Sequence, residues 1–108
     1  SLGGHANALQ VLTLEPSIEQ QLLQHIRALE GGSALVVEPQ FADKVVLRLA
    51  HDADKMMKNN LLPVILCAPD LRRHIRTLSE RMVPHLRVIS VAEVPNSLEL
   101  RAFGTVTI

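Results

Sequence analysis

The stretch "LCAPDLRRH", Leu66 to His74, holds the side chains best placed by sequence to do chemistry. Counting from Cys67, the chain's single cysteine, Arg73 completes a Cys-x5-Arg spacing and Arg72 a Cys-x4-Arg spacing. The first is the spacing of thiol phosphatases, the second that of rhodanese-like loops. Such loops work because successive backbone N–H groups at a helix N-terminus cradle an anion while an arginine clamps it. Here Pro69 has no N–H to give, Asp70 would repel an anion, and the loop contains no glycine. Leu66 precedes Cys67, so no adjacent histidine is positioned to lower the thiol pKa. Asp70 fits better as a first-turn acid, stabilising the helix start by about 0.3–1 kcal/mol. Free cysteines are among the most buried residue types, so Cys67 is expected to be a packed strand-end residue.

The histidines do not form a metal motif. His5, His25, His51, His74 and His85 are scattered, with no His-x3-His or His-Glu-x-x-His pair. "HDADK" gathers His51, Asp52 and Asp54, but on a helix these spread over a wide arc, as on a solvated face. There is no Gly-x-Ser-x-Gly elbow, Walker loop or dinucleotide fingerprint. The expectation is a protein that is not an enzyme, with no catalytic residue, metal or cofactor. Two rival readings stay open. One is a thiol enzyme using Cys67, with Arg72 or Arg73 binding an anion. The other is a small-ligand domain with a pocket at the strand C-termini, around Cys67 to Asp70 and Ser90 to Glu93.

Arg72, Arg73 and Arg76, with His74 and later Arg81, surround the apolar stripe of the same helix. They could simply be its solvated face. The sharper reading is a protein-interaction surface of Arg72, Arg73 and Arg76 that docks an acidic patch on a neighbouring domain or subunit. Arginine's rigid fork suits it to such interfaces.

Several elements must position these groups. "ALQVLTL" (Ala8 to Leu14) alternates apolar and polar residues and reads as a strand. Pro16, Glu15 and Glu19 mark a helix start; Gly31-Gly32 ends it, and Ile18, Leu22, Ile26 and Leu29 make its apolar stripe. "SALVV" is a short strand or an apolar entry to the next helix. That second helix starts at Glu38-Pro39, buries Phe41, Val45 and Leu49, and runs to about Lys58 before Asn59-Asn60. "LLPVILC" is a continuously apolar strand, buried on both faces. Pro69-Asp70 opens a third helix with the stripe Leu71, Ile75, Leu78 and Met82. "LRVISV" (Leu86 to Val91) is a further strand, and "LELRAFGTVTI" supplies one or two more. Strands alternating with helices predict an α/β layered domain with a mostly parallel sheet of about four strands and three main helices.

Bulk properties agree. The 108 residues suit one domain, expected over residues 9–108 after a flexible lead-in or linker at 1–8. Hydrophobic residues make up 47% and charged residues 20%, as in a globular chain. Eleven basic residues balance eleven acidic ones, which removes the simplest argument for a nucleic-acid or anionic-membrane partner. Two Phe and no Trp or Tyr leave almost no platform for stacking bases. One cysteine rules out an internal disulfide. No apolar run approaches the roughly 20 residues needed to cross a bilayer, so no direct membrane insertion by this chain is expected. The start at Ser1, without methionine, fits a piece of a larger protein.

The sequence also resembles a known family. "VLTLEPSIEQQLLQHI", "VVEPQFADKVV", "LPVILCAPDLRRHIRTLSERMVPHLRVISVAEVPNSLEL" and "AFGTVTI" are similar to the C-terminal end of the FlhA-type export-gate family of type III secretion. The likeness runs from about Leu9 to Ile108, and the "LEP" and "EPQFAD" helix starts favour the flagellar over the injectisome branch. The resemblance implies a parent with an N-terminal membrane region and a large cytoplasmic part, of which this chain is the last subdomain. It implies a homo-nonameric parent at the cytoplasmic face of the bacterial inner membrane. Its partners would be the other subdomains and subunits of that ring, and chaperone–substrate complexes received through the parent. It implies a non-catalytic interaction and conformational module, and carries no family binding residue onto a position here.

Overall fold

The computed structural model describes residues 8–30 and 39–108. Residues 1–7 and 31–38, which include Gly31-Gly32, the "SALVV" segment (Ser33 to Val37) and Glu38 of the expected helix start, lie outside that description. The elements are β1 (Ala8–Leu14), α1 (Pro16–Glu30), α2 (Pro39–Lys58), β2 (Val64–Cys67), α3 (Pro69–Ser79), β3 (Arg87–Ser90), a 3-10 turn (Val91–Glu93) and β4 (Glu99–Val106). The four strands lie in the order β3-β2-β1-β4, and every pairing is parallel. Among the described residues, the α/β class, the four strands and the three helices are as the sequence predicts.

Parallel neighbours need crossovers, and these place the helices. Leu12 pairs with Ile65 and Ile65 with Val88 across the sheet. These three join Leu14, Cys67 and Val106 in one cluster with Ile18 and Leu22 of α1, Phe41, Val45 and Leu49 of α2, and Leu71 and Ile75 of α3. All three helices therefore pack on the same face of the sheet. Val11 and Leu12 are strand neighbours pointing to opposite faces, yet both are at most 1% exposed. The β1–β4 register shifts between Val11 and Leu12, paired with Ala102 and Gly104, so Phe103 is an extra residue on the β4 side.

The end of α2 shows how local sequence sets the geometry. Asn60 adopts φ 62°, Leu61 N–H donates to Met56 O at 3.0 Å, and Asn60 N–H to Met57 O at 3.0 Å. This is a Schellman ending, with Asn in the left-handed position. Asn59 Nδ2 adds a bond to Lys55 O at 2.7 Å. The chain is thereby turned to enter β2.

Four expectations are corrected. Leu29 is 65% exposed, while Ala28 is buried, because the last turn of α1 runs past the cluster that holds Ile18 and Leu22. Met82 is not part of a helical stripe: α3 stops at Ser79, and in the turn leading to β3 it is Val83 that is buried while Met82 is 53% exposed. The second strand begins at Val64 rather than Leu61, after Pro63, whose missing N–H cannot join a ladder. Val91 leaves β3 for the 3-10 turn.

Candidate interaction surface

The carboxyl ends of β2 and β3 and the start of α3 bring the chemistry-bearing residues together. Ala68 stays extended (φ −65°, ψ 149°), Pro69 takes the first helical position, and Leu71 N–H donates to Ala68 O at 3.0 Å. Leu71, Ile75 and Ser79 turn inward, and the buried Ser79 hydroxyl donates to Ile75 O at 2.7 Å. The remaining arc carries the arginines.

Arg72, Arg73 and Arg76 fall within about 100° of one another on the helix. Their surroundings differ. Arg72 Nε lies 3.4 Å from Glu93 Oε1, and the same carboxylate oxygen accepts Ser90 N–H at 2.9 Å. Arg72 thus ties α3 to the end of β3, a half-exposed contact worth about 0–1 kcal/mol. Arg73 is exposed on the rim of a concavity of about 500 Å³ between α1 and α3, with Ile26, Leu29, Glu30 and Asp70. Arg76 is also exposed but lines another concavity of about 410 Å³, with Glu80, Pro84 and His85. Arg72 also lines the concavity rimmed by Arg73, while Arg76 lies on the other.

Cys67 is 3% exposed, and its Sγ–H donates to Ile89 O at 3.5 Å. Burial pushes the thiol up to about 11; the Glu19 carboxylate adds to this, Arg72 opposes it, and Glu93 raises it further. A nucleophilic cysteine needs the opposite shift and an accessible sulfur. The folded pKa lies above the ordinary 9.0, so the thiol's contribution to stability is complete below about 9 and is lost as pH rises through about 11. A disulfide reagent at neutral pH is therefore expected to label Cys67 slowly in the folded domain and rapidly in denaturant. Equal rates in the two states would refute the packed-thiol assignment. The thiol-enzyme reading loses its nucleophile. The Ser90 to Glu93 region proposed for a small ligand is instead tied together by its own contacts, through Glu93 to Ser90 and Arg72.

Two polar residues escaped the sequence reading. Asp52, expected on a solvated face, is 5% exposed and lies 3.4 Å from Arg48 Nε. Its signal was the Arg four residues earlier. Glu93 was readable from Ser90-x-x-Glu93, the spacing of a capping box. Among the described residues, no group of three or more His, Cys, Asp or Glu could hold a metal ion. No described helix is long and apolar enough to cross a membrane.

An all-parallel four-stranded sheet with three helices on one face and a helix start rich in arginine defines a small scaffold whose named thiol is buried. The FHIPEP family model matches residues 2–99, and the chain belongs to the FHIPEP family. Among curated relatives, it is 28% identical over 100 residues to the flagellar biosynthesis protein FlhA of Bacillus subtilis, covering 93% of this chain and 15% of that protein. It is also 28% identical over 98 residues to protein MxiA of Shigella flexneri, covering 91% of this chain and 14% of that one. The chain thus spans about one seventh of the length of these relatives. Among solved structures, nonameric SctV-C of EPEC matches with TM-score 0.66 and 30% identity, over 97% of this chain and 32% of that one. The CdsV protein of Chlamydia pneumoniae, solved in complex with CdsO, matches with TM-score 0.68 and 28% identity, over 94% and 30%.

Proposed function

We propose that this domain is the terminal cytoplasmic module of a type III protein-export gate, acting by contact and movement rather than by catalysis. The observation that carries the reading is the FHIPEP match over residues 2–99, supported by fold likeness to nonameric SctV-C and to the EscV cytosolic domain of a type III secretion system. The FlhA proteins of Bacillus subtilis and Borreliella burgdorferi among the relatives favour the flagellar branch. In this reading the parent is an inner-membrane protein whose cytoplasmic parts form a nonameric ring, as the nonameric SctV-C and EscV domains do. The ring receives chaperone–substrate complexes and helps order their export. The domain itself is a rigid α/β body whose exposed arginine face makes alternative contacts as it moves, each arrangement differing by a few kcal/mol.

The test is secretion in cells lacking the native parent, complemented with full-length parent carrying either Cys67→Ala or the triple variant R72E/R73E/R76E. At matched protein levels, normal secretion with Cys67→Ala and loss with the triple variant is the expected pair of results. Loss of secretion with a folded Cys67→Ala protein would return thiol chemistry to consideration.

A further inference from the structure

Two imidazoles meet where α1 packs on α3. The ring centroids of His25 and His74 are 5.2 Å apart, with the planes tilted by 40°. Nδ1 of His25 and Nε2 of His74 are buried and have no hydrogen-bond partner. A neutral imidazole carries its proton on one nitrogen and a lone pair on the other. An orphaned buried N–H is costlier than an orphaned acceptor, so the protons belong on His25 Nε2 and His74 Nδ1. Each buried nitrogen is then a free lone pair.

We propose that the His25–His74 pair is a pH-sensitive latch: neutral, it lets α1 close on α3; protonated, it parts the two helices and widens the concavity rimmed by Arg73. A proton arriving at either ring must occupy a buried nitrogen that has no hydrogen-bond partner in the packed arrangement. A second proton would set two like charges 5.2 Å apart between packed helices. Among the described residues, no third His, Cys, Asp or Glu joins the pair to complete a metal site. Charged groups of both signs line the concavity that His74 borders. Glu30 of α1 and Asp70, Arg72 and Arg73 of α3 line the adjoining concavity, while Asp43 of α2 and Arg81 border a different one.

Burial, and then the charge of His25, hold His74 below its ordinary value of 6.5. The closed contact keeps its full stability above about 6.5 and loses it as pH falls through the lower folded value. The latch depends only on the contact between α1 and α3 and is independent of the proposed function.

The experiment is an NMR titration of the histidine rings in the 108-residue chain, beside amide hydrogen exchange at about pH 7.5 and about pH 5.5, the range over which histidine charges. After correction for intrinsic rates, exchange in α1 and α3 is expected to rise severalfold at the lower pH, while β4 stays protected. In His25→Gln the His74 midpoint should move up, and H25Q/H74Q should abolish the selective rise. His85→Gln, which alters an exposed histidine, should retain it. A His74 midpoint unmoved by His25→Gln, a rise that persists in the double variant, or protection of the wild type by zinc would each overturn the latch. Should the double variant not fold, the wild-type and His25→Gln titrations decide alone.

Discussion

Ile65→Ala is expected to destabilise the domain by about 3–4 kcal/mol, from lost transfer free energy and the cavity left behind. Ile65 is fully buried in the second strand of the sheet, paired with Leu12 on one side and Val88 on the other. It belongs to the cluster on which all three helices rest, so no single element can shift to fill the space. Domains of this size are stable by about 5–15 kcal/mol in total, so one truncation removes a large part. The melting temperature should fall on the order of 15 °C. Leu29→Ala supplies the contrast: at 65% exposure it should change stability by less than about 0.5 kcal/mol. Urea unfolding followed by circular dichroism measures both. An Ile65→Ala protein within about 1 kcal/mol of wild type would show that the cluster repacks and that the layer is less tightly determined than its burial implies.

That pair of residues also marks what the sequence could and could not disclose. Periodicity reports which way a side chain points around a helix, and so it identified Ile18, Leu22, Phe41, Val45, Leu49, Leu71 and Ile75, all buried. It does not report where the neighbouring layer ends. Leu29 has the right phase but lies on a turn that outruns the cluster, and Met82 has the right phase for a helix that has already stopped. Strand ends failed for a related reason. The side-chain bond from Glu93 to Ser90 N–H competes with continuation of β3, and a hydrophobicity pattern cannot weigh that competition. The site was legible in part. The two spacings from Cys67 to arginine were real as spacings, yet the sulfur is directed into the core by the alternation of β2, which a motif match ignores. The arginines are where helical arithmetic puts them. Their division between a bridge to Glu93 and two separate concavities depends on α1 and β3, elements distant in sequence. The His25–His74 contact spans α1 and α3 and left no local trace.

Reversing Arg72, Arg73 and Arg76 to Glu in the full-length parent is expected to cut secretion at least tenfold while leaving the domain folded. Folding and docking respond to the reversal with different magnitudes. For folding, Arg73 and Arg76 are exposed, and the Arg72–Glu93 contact joins two side chains that are each about half exposed. Such contacts are worth about 0–1 kcal/mol, although Glu at position 72 also sets a like charge against Glu93. The melting temperature should therefore drop by only a few degrees. For docking, an arginine against an acidic partner contributes about 2 kcal/mol when the contact is desolvated, and reversal adds repulsion to the loss. Two such contacts suffice for a weakening of about 100-fold or more. The variants R73E/R76E and Arg72→Ala then separate the roles. If the exposed pair forms the docking face, R73E/R76E reproduces the secretion defect with wild-type stability. If Arg72 matters by holding α3 to the end of β3, Arg72→Ala acts on secretion and stability together, and Glu93→Gln should mimic it. Normal secretion by the triple variant at equal protein levels would remove the arginine face from the proposed mechanism and leave the family reading to rest on other surfaces of the domain.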